Sequence, residues 1–302
     1  MARAAPAPLP PAALSAESRL RAAVASENKT VFRLMEDIRL TADIGEVKCP
    51  DLEVVGECKK KNGRPRLCKI DGQNSYGGFG GMSPKVSLRN LELTRFRSAI
   101  LAGGPSCDFK ISNCHLTSNA GAVVSTAVVS SVTIANSSFV GNKGILVSTG
   151  RYDKIMMTDV LFKSNRGGPV ISLQRATLTC VRCGFEGNLA ESGASAVEVY
   201  RMGAKFTRSW FVNNRVTKPG SQGAAVSLSG DSATTFCHCR FDKNTVAEEG
   251  GKRKRIEHVY VGLEAMAGPG FVEFCDKRPA IGVTLANAEL AKNVFDSCGN
   301  CR

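Results

Sequence analysis

The strongest constraint on the fold is a short motif that returns along the chain at a nearly fixed distance. Each copy has a large apolar anchor, and most copies have an asparagine three residues later, as in Phe139 and Asn142. The first five anchors are 23 residues apart, and the following gaps are 26, 30 and 49 residues. A fixed period of this length is typical of a solenoid, in which each repeat stacks on the one before it. The anchors are Leu93, Leu116, Phe139, Phe162, Phe185, Phe211, Phe241 and Leu290.

The residues before each anchor predict a strand. The positions seven and five residues before the anchor are almost always apolar, as in Val132 and Ile134 before Phe139, and the position between them is mostly polar. This period of two predicts a strand with one buried face. A second apolar run follows each anchor, so two or three strands fill each repeat and leave no room for a helix. Strands stacked in register predict a parallel β-helix, since the Leu-x-x-Leu-x-Leu framework of a leucine-rich repeat is absent.

The asparagine after the anchor predicts a turn. Asparagine tolerates the left-handed backbone region, and stacked asparagine side chains also bond the rows above and below. The second apolar run begins 8 residues after Phe139 and Phe162, but 12 after Phe185 and 15 after Phe211. The extra residues fall just after the asparagine, which predicts loops gathered on one edge of the solenoid.

The Phe-x-x-Asn motif and a glycine-rich segment of small residues resemble the repeats of the polymorphic outer membrane proteins. These proteins belong to the right-handed, pectin-lyase-like β-helix superfamily. The small-residue segments are residues 167–171, 193–197 and 223–226. The resemblance covers roughly residues 85 to 300. It implies an all-β solenoid, a right-handed parallel β-helix, and a surface or extracellular protein that is often adhesive.

The chain before the repeats divides into a tail and a cap. Residues 1–14 are rich in proline and alanine, which predicts disorder, and they lack the continuous apolar run of a signal peptide. Residues 15–84 are predicted to hold a short N-terminal capping helix, the first coils, and a flexible glycine-rich bend at 77–81. No apolar run reaches membrane-spanning length. The predicted helix has Ser15 as its N-cap and an apolar stripe of Leu14, Leu20 and Val24.

The repeat β-helix is predicted over residues 85–302, with an irregular basic insertion near 246–280. The gap between Phe241 and Leu290 predicts one degenerate coil, with strands at 258–263 and 271–274. Val283 and Leu285 are then read as the first strand of the last repeat.

Twelve cysteines indicate an oxidising compartment. Cys58 and Cys68 bracket a basic loop and are predicted to form a disulfide. Packing or disulfides are favoured over zinc, because Cys180 falls in a buried apolar column and zinc needs four converging ligands. No metal and no other cofactor are predicted. The candidates for the zinc alternative are Cys180 with Cys183, Cys298 with Cys301, and His238 between Cys237 and Cys239.

The net charge of +13 is concentrated in two basic runs, at 59–66 and 252–255. Such runs suit polyanions, namely acidic or sulfated polysaccharide. Nucleic acid is disfavoured as a partner, because no aromatic residues are interleaved for base stacking. The run at 252–255 also fits a nuclear-signal pattern, and a solvated loop with no partner is the other alternative. The basic residues are Lys59, Lys60, Lys61, Arg64, Arg66, Lys252, Arg253, Lys254 and Arg255.

One column of the repeat predicts a second basic surface. Three residues before the anchor, most copies have asparagine, but four successive copies have Asp159, Arg182, Arg208 and His238. Because stacked strands lie about 4.8 Å apart, these side chains are predicted to form one outward row. The two arginines suit a carboxylate or sulfate group, while a solvated continuation of the asparagine turns is the structural alternative.

These observations favour a non-enzymatic surface or extracellular protein that binds or adheres to acidic polysaccharide. The alternative is a polysaccharide lyase or hydrolase on the same fold. Such enzymes need clustered carboxylates, and the sequence shows no catalytic cluster of this kind. Extracellular localisation follows from the resemblance and from the cysteine content.

Overall fold

The chain winds into about ten coils, and each coil passes through up to three flat faces of parallel strands. The computed structural model describes residues 14–59, 66–221, 223–248, 254–264, 268–269, 271–275, 282–286 and 294–296. Successive coils pair in register, as in Phe109↔Val132↔Ile155 on the first face. This arrangement confirms the predicted all-β parallel solenoid.

Three faces account for the main sheet. The first face contains Thr30–Leu34, Leu52–Gly56, Lys85–Arg89, Asp108–Ser112, the first halves of Ser131–Val140 and Lys154–Lys163, the second halves of Ile171–Val181, Val197–Thr207 and Val226–Cys237, and then Phe271–Cys275 and Val294–Asp296. The second face contains Ile38–Arg39, Cys68–Asp71, Leu91–Thr94, His115–Thr117, the second halves of Ser131–Val140 and Lys154–Lys163, and then Gly184–Glu186, Trp210–Val212 and Arg240–Asp242. The third face contains Gly45–Glu46, Phe79–Gly81, Leu101–Gly103, Val124–Thr126, Val147–Ser148, the first halves of the strands that begin at Ile171, Val197 and Val226, and then Val259–Val261 and Val283–Leu285.

The long loops form a small sheet of their own at the corner between the second and third faces. Its strands are Leu189–Ala190, Arg215–Val216, Thr245–Ala247 and Lys254–Ile256. We call it the insertion sheet, because it begins directly after the buried asparagines, where the extra residues were predicted. Its apolar side chains form a separate cluster of Ala190, Val216, Ala224 and Val246. A two-stranded hairpin of Leu263–Glu264 and Gly268–Pro269 completes the set of strands.

Within the residues that the structure describes, a single helix, Ala16–Val24, covers the N-terminal end of the solenoid. The Ser15 hydroxyl accepts a hydrogen bond from the Ser18 N–H at 3.1 Å, which confirms the predicted N-cap. Leu20 and Val24 are buried as predicted, but Leu14 is 66% exposed because it precedes the helix and points away from the first coil. The predicted position of the cap is therefore confirmed, but Leu14 does not belong to its buried apolar stripe.

The anchors pack inward as a ladder of aromatic rings. Ring centroids lie 4.7 Å apart for Phe139 and Phe162, 5.1 Å for Phe162 and Phe185, and 4.8 Å for Phe185 and Phe211. All four rings are fully buried. The spacing matches the distance between stacked strands, so each coil presents the same apolar group to its neighbours.

The asparagines after the anchors form a second, polar ladder inside the solenoid. Asn165 is buried, and its Nδ2 donates to the Phe139 carbonyl at 3.0 Å and to Asn188 Oδ1 at 2.9 Å. Its Oδ1 accepts from the N–H and the Nδ2 of Asn142. Every polar atom of the side chain is therefore satisfied, as a buried amide requires. The same bonds recur along Asn119, Asn142, Asn165, Asn188, Asn214 and Asn244.

Two predictions about strands are wrong. Phe79–Gly81 is a third-face strand paired with Leu101–Gly103, not a flexible bend. Val283 and Leu285 pair with Val259 and Val261 on the third face, not with the first-face strands. The first-face strand of that coil is Phe271–Cys275, which carries the ring of Phe274 onto Phe236. The alternating apolar pattern is the same on each face, so it does not tell which face a strand joins.

Candidate functional site

The four residues predicted to form a row lie along the corner between the first and second faces. Asp159, Arg182, Arg208 and His238 are all exposed, and their φ angles are 56°, 54°, 51° and 53°. Each of them is the single residue at which the chain turns from one face to the next. Three earlier coils make the same left-handed turn with asparagine, at Asn90, Asn113 and Asn136. The row therefore has the same backbone geometry as the asparagine turns, but three of its four residues are an aspartate and two arginines.

Asp159 and Arg182 form an ion pair. Arg182 Nε and Nη2 each donate to one Asp159 oxygen at 2.6 Å, in the parallel arrangement that suits a guanidinium and a carboxylate. The hydrogen bond from Arg182 holds the pKa of the Asp159 carboxyl below its ordinary value. Because both side chains are largely exposed, water screens the pair and its contribution to stability is small. Arg182 is thus held in place by Asp159.

Arg208 differs from Arg182, because no acidic side chain among the described residues pairs with its guanidinium. Its backbone N–H donates to the Cys237 carbonyl at 2.7 Å, which fixes the turn but leaves the side chain free of protein partners in the described chain. One coil further on, Arg240 is paired with Asp242 at 3.2 Å. The unpaired positive charge of the row is therefore centred on Arg208.

Trp210, the single tryptophan of the chain, lies beside Arg208 and was not predicted as a site residue. Its indole lies over Gly184 of the preceding coil, where an added Cβ would come within 2.4 Å of the ring. Trp210 Nε1 donates to Glu186 Oε1 at 2.8 Å. The glycine makes room for the ring and Glu186 fixes its orientation. The half-buried indole is thus held as a flat apolar platform on the second face.

Two shallow cavities meet at Arg208 and Trp210, with volumes of about 510 Å³ and about 570 Å³. Arg208, Trp210 and Glu186 line both cavities. We call this surface the flank site. The first cavity adds Asp159, Val160, Leu161 and Arg182, and the second adds Ser209, Val212, His238 and Arg240.

The described ends of the basic run, Lys59 and Arg66, lie on the same corner of the solenoid as the flank site. They lie between the first-face strand Leu52–Gly56 and the second-face strand Cys68–Asp71. Cys58 and Cys68 close the base of this loop with Cα atoms 5.3 Å apart, which supports the predicted pair. Lys59 is exposed, Arg66 Nη1 pairs with Asp37 at 2.8 Å, and Lys60, Lys61 and Arg64 lie outside the described residues.

The second basic run lies elsewhere. Lys254 and Arg255 belong to the last strand of the insertion sheet, at the corner between the second and third faces, while Lys252 and Arg253 lie outside the described residues. Arg255 hydrogen bonds with the buried Glu257, which in turn accepts from the Gly223 N–H. Arg255 therefore helps to anchor its own loop, and Lys254 and Arg255 do not join the flank site.

The buried cysteines behave as packing residues. Cys180 and Cys183 are fully buried thiols, and burial raises the pKa of Cys239 to about 12, so its thiol stays protonated at neutral pH. Cys237 and Cys275 lie opposite each other on adjacent strands, and both are disulfide-bonded. In the part of the chain that the structure describes, no group of three or more His, Cys, Asp or Glu residues could hold a metal ion.

Comparison with known proteins identifies the fold and nothing finer. The family model described as the right-handed beta helix region matches residues 52–166 and 98–270. No curated protein and no solved structure matches the chain. Within the described residues, no helix has the length and the apolar composition needed to cross a membrane.

Proposed function

Because the chain belongs to the right-handed β-helix family, whose members present flat sheets and corners to solvent, we propose that it binds an acidic polysaccharide at the flank site without cleaving it. The observation that carries this proposal is Arg208, a cation with no acidic partner among the described residues, beside the fixed indole of Trp210. A guanidinium presents two parallel donors to a carboxylate or sulfate, and an indole packs against the apolar face of a sugar ring.

The carboxylates of the flank site support binding rather than hydrolysis. Asp159 is held by both donors of Arg182. Glu186 accepts from Trp210 Nε1 and lies 3.7 Å from Lys163 Nζ. A glycosidase needs one carboxyl group to protonate the leaving oxygen and a second to activate water or attack the sugar. Both carboxylates of this site are already occupied in positioning Arg182 and Trp210.

The corner as a whole favours a polymer over a single sugar. Lys59 and Arg66, the described ends of the basic loop, lie on the same corner as Arg208 and six coils from it, which corresponds to roughly 29 Å at the spacing of stacked strands. An extended anionic chain can contact both. The extracellular and adhesive role implied by the resemblance fits such a ligand and is part of the same proposal.

The proposal is tested by titrating polygalacturonate, and separately a sulfated glycan, into the wild-type protein and the Arg208→Ala and Trp210→Ala variants. Losing one charge-assisted hydrogen-bonding group costs about 1.5–3 kcal/mol, so Arg208→Ala is expected to weaken binding by about 10- to 100-fold. Arg215→Ala is the control, because Arg215 is an exposed arginine on the insertion sheet. It is expected to leave the affinity unchanged.

Two further readouts separate binding from other functions. Added salt is expected to weaken the interaction, because exposed charges are screened. The polysaccharide is expected to keep its size during prolonged incubation. Equal affinities for the wild type and Arg208→Ala would refute the flank site, and the appearance of new chain ends would refute the non-enzymatic assignment.

A further inference from the structure

The repeats with longer loops build a groove on a different part of the solenoid. The loop at 191–194 and the segment at 217–221 follow strands of the insertion sheet and lie beside the third face. Between them lies a cavity of about 520 Å³. We call it the third-face groove. Coils with the shorter, 23-residue period lack these walls, so the same insertions that interrupt the period create the groove.

The floor of the third-face groove is a regular grid of polar side chains. One outward column runs through Ser172, Glu198 and Ser227, which are in register on adjacent strands. The next outward column contributes Gln174, Tyr200 and Ser229. Neighbours along a column are about 4.8 Å apart and the two columns are about 7 Å apart, which is the size of a sugar ring.

Glu198 is the exception in its column. The equivalent residue in the coils below is serine, at Ser125, Ser148 and Ser172. Glu198 accepts a hydrogen bond from the Ala194 N–H at 3.0 Å, and the loop passes so close that a Cβ on Gly193 would lie 1.9 Å from Glu198 Oε1. Burial raises the pKa of this carboxyl above its ordinary value. A carboxyl group thus lies on the floor of a groove whose lining includes several serine hydroxyls, at a cost in solvation.

We propose that the third-face groove is a binding site for the ring of an uncharged sugar, whose hydroxyls bond to Glu198 and Gln174 while the serines of the floor and walls complete the contacts. A carboxyl group and an amide bond well to pairs of neighbouring hydroxyls. Charged side chains in the lining are limited to Glu198 and Lys218. An acidic sugar on the floor would meet the Glu198 carboxyl, so this ligand class differs from that of the flank site.

Tyr200 supports the site from one side. The Arg201 guanidinium lies 5.1 Å from the centre of the Tyr200 ring, a cation–π contact that restrains the ring at the edge of the groove. Tyr200 is in register with Gln174 on the adjacent strand, so the two side chains belong to the same outward column. Restrained polar groups bind with less loss of conformational entropy than mobile ones.

The test uses a panel of neutral oligosaccharides of glucose, mannose, galactose and xylose, with polygalacturonate as the acidic comparison. Ser227→Trp places a large side chain on the groove floor. Ser125→Trp makes the same change in the same column, four coils away and outside the groove. Circular dichroism and the Tm of each variant establish that both are folded.

At least one neutral oligosaccharide is expected to bind the wild type, with a loss of more than tenfold in Ser227→Trp and about tenfold in Gln174→Ala. Ser125→Trp and Arg208→Ala are expected to retain that binding, while Ser227→Trp retains the binding of polygalacturonate. The proposal fails if no neutral sugar binds, if Ser227→Trp binds as well as Ser125→Trp, or if polygalacturonate competes for the groove. Loss of the flank interaction alone leaves these outcomes unchanged, so the two sites are tested separately.

Discussion

The buried asparagine ladder predicts different losses in the free energy of unfolding for substitutions at two adjacent asparagines, Asn213 and Asn214. Asn214 is fully buried, and Nδ2 donates to the Phe185 carbonyl at 2.8 Å and to Asn244 Oδ1 at 2.9 Å. Its Oδ1 accepts from the N–H and the Nδ2 of Asn188. Asn214→Ala removes all four bonds. At about 0.5–1.5 kcal/mol for each net hydrogen bond, the free energy of unfolding is expected to fall by about 2–6 kcal/mol.

Asn213→Ala is the matched control. Asn213 is exposed and adopts a φ of 56°, so alanine there loses mainly the tolerance of asparagine for the left-handed region, which costs about 1 kcal/mol. Urea unfolding can be followed by the fluorescence of Trp210, which lies on the same coil. The reasoning is refuted if Asn214→Ala is no less stable than Asn213→Ala, since the ladder would then contribute no more than an exposed turn.

Three further predictions concern the core, the redox state and pH. Phe162→Ala is expected to lower the free energy of unfolding by about 3–5 kcal/mol and Phe162→Leu by much less, because Leu116 already fills an equivalent anchor position; near-neutral stability of the alanine variant in urea would contradict the ring ladder. Thiol counting on unfolded, unreduced protein is expected to find fewer than twelve thiols, and twelve would rule out the Cys58–Cys68 bond. Burial raises the pKa of Glu198 above its ordinary value of 4.5, so its stabilising, protonated form is lost as pH rises above that value. Glu198→Gln is therefore expected to match the wild-type Tm near pH 4 and to exceed it once the pH is above the raised pKa of Glu198, whereas a difference that is the same at every pH would contradict the assignment.

The period of the sequence predicted most of the fold because stacking places every coil in the same environment. A position that is buried in one coil, such as Phe139, is buried in the next, at Phe162. This regularity ends where the loops lengthen. Val283 and Leu285 have the spacing of a first-face strand, yet they extend the third face beyond Val259. Apolar alternation measures which side of a strand is buried, and every face of a β-helix buries the same side.

Less of the candidate sites than of the fold could be predicted from the sequence. The row of Asp159, Arg182 and Arg208 follows from the repeat alone, because a fixed register converts sequence spacing into spatial order. The position of the Trp210 indole does not follow from the repeat, because the ring occupies the space left by Gly184, 26 residues earlier. The only signals were a single tryptophan and a glycine at one column position. The third-face groove needed loop conformations that spacing does not encode.

The backbone conformation of the flank site does not by itself distinguish it from a solvated corner. The distinction depends on the side chains around Arg208. Arginine in the left-handed region costs about 1–2 kcal/mol, and such strain often gathers at functional sites. Yet Val129, Tyr152 and Arg175 adopt the same conformation at another corner, so a positive φ alone marks no site. What is particular to Arg208 is that three independent features meet there: asparagine has been replaced by a cation, no acidic partner among the described residues neutralises that cation, and the neighbouring coil has given up a side chain at position 184 to seat an indole. The three earlier coils turn at this corner with Asn90, Asn113 and Asn136, so the turn itself does not require a cation.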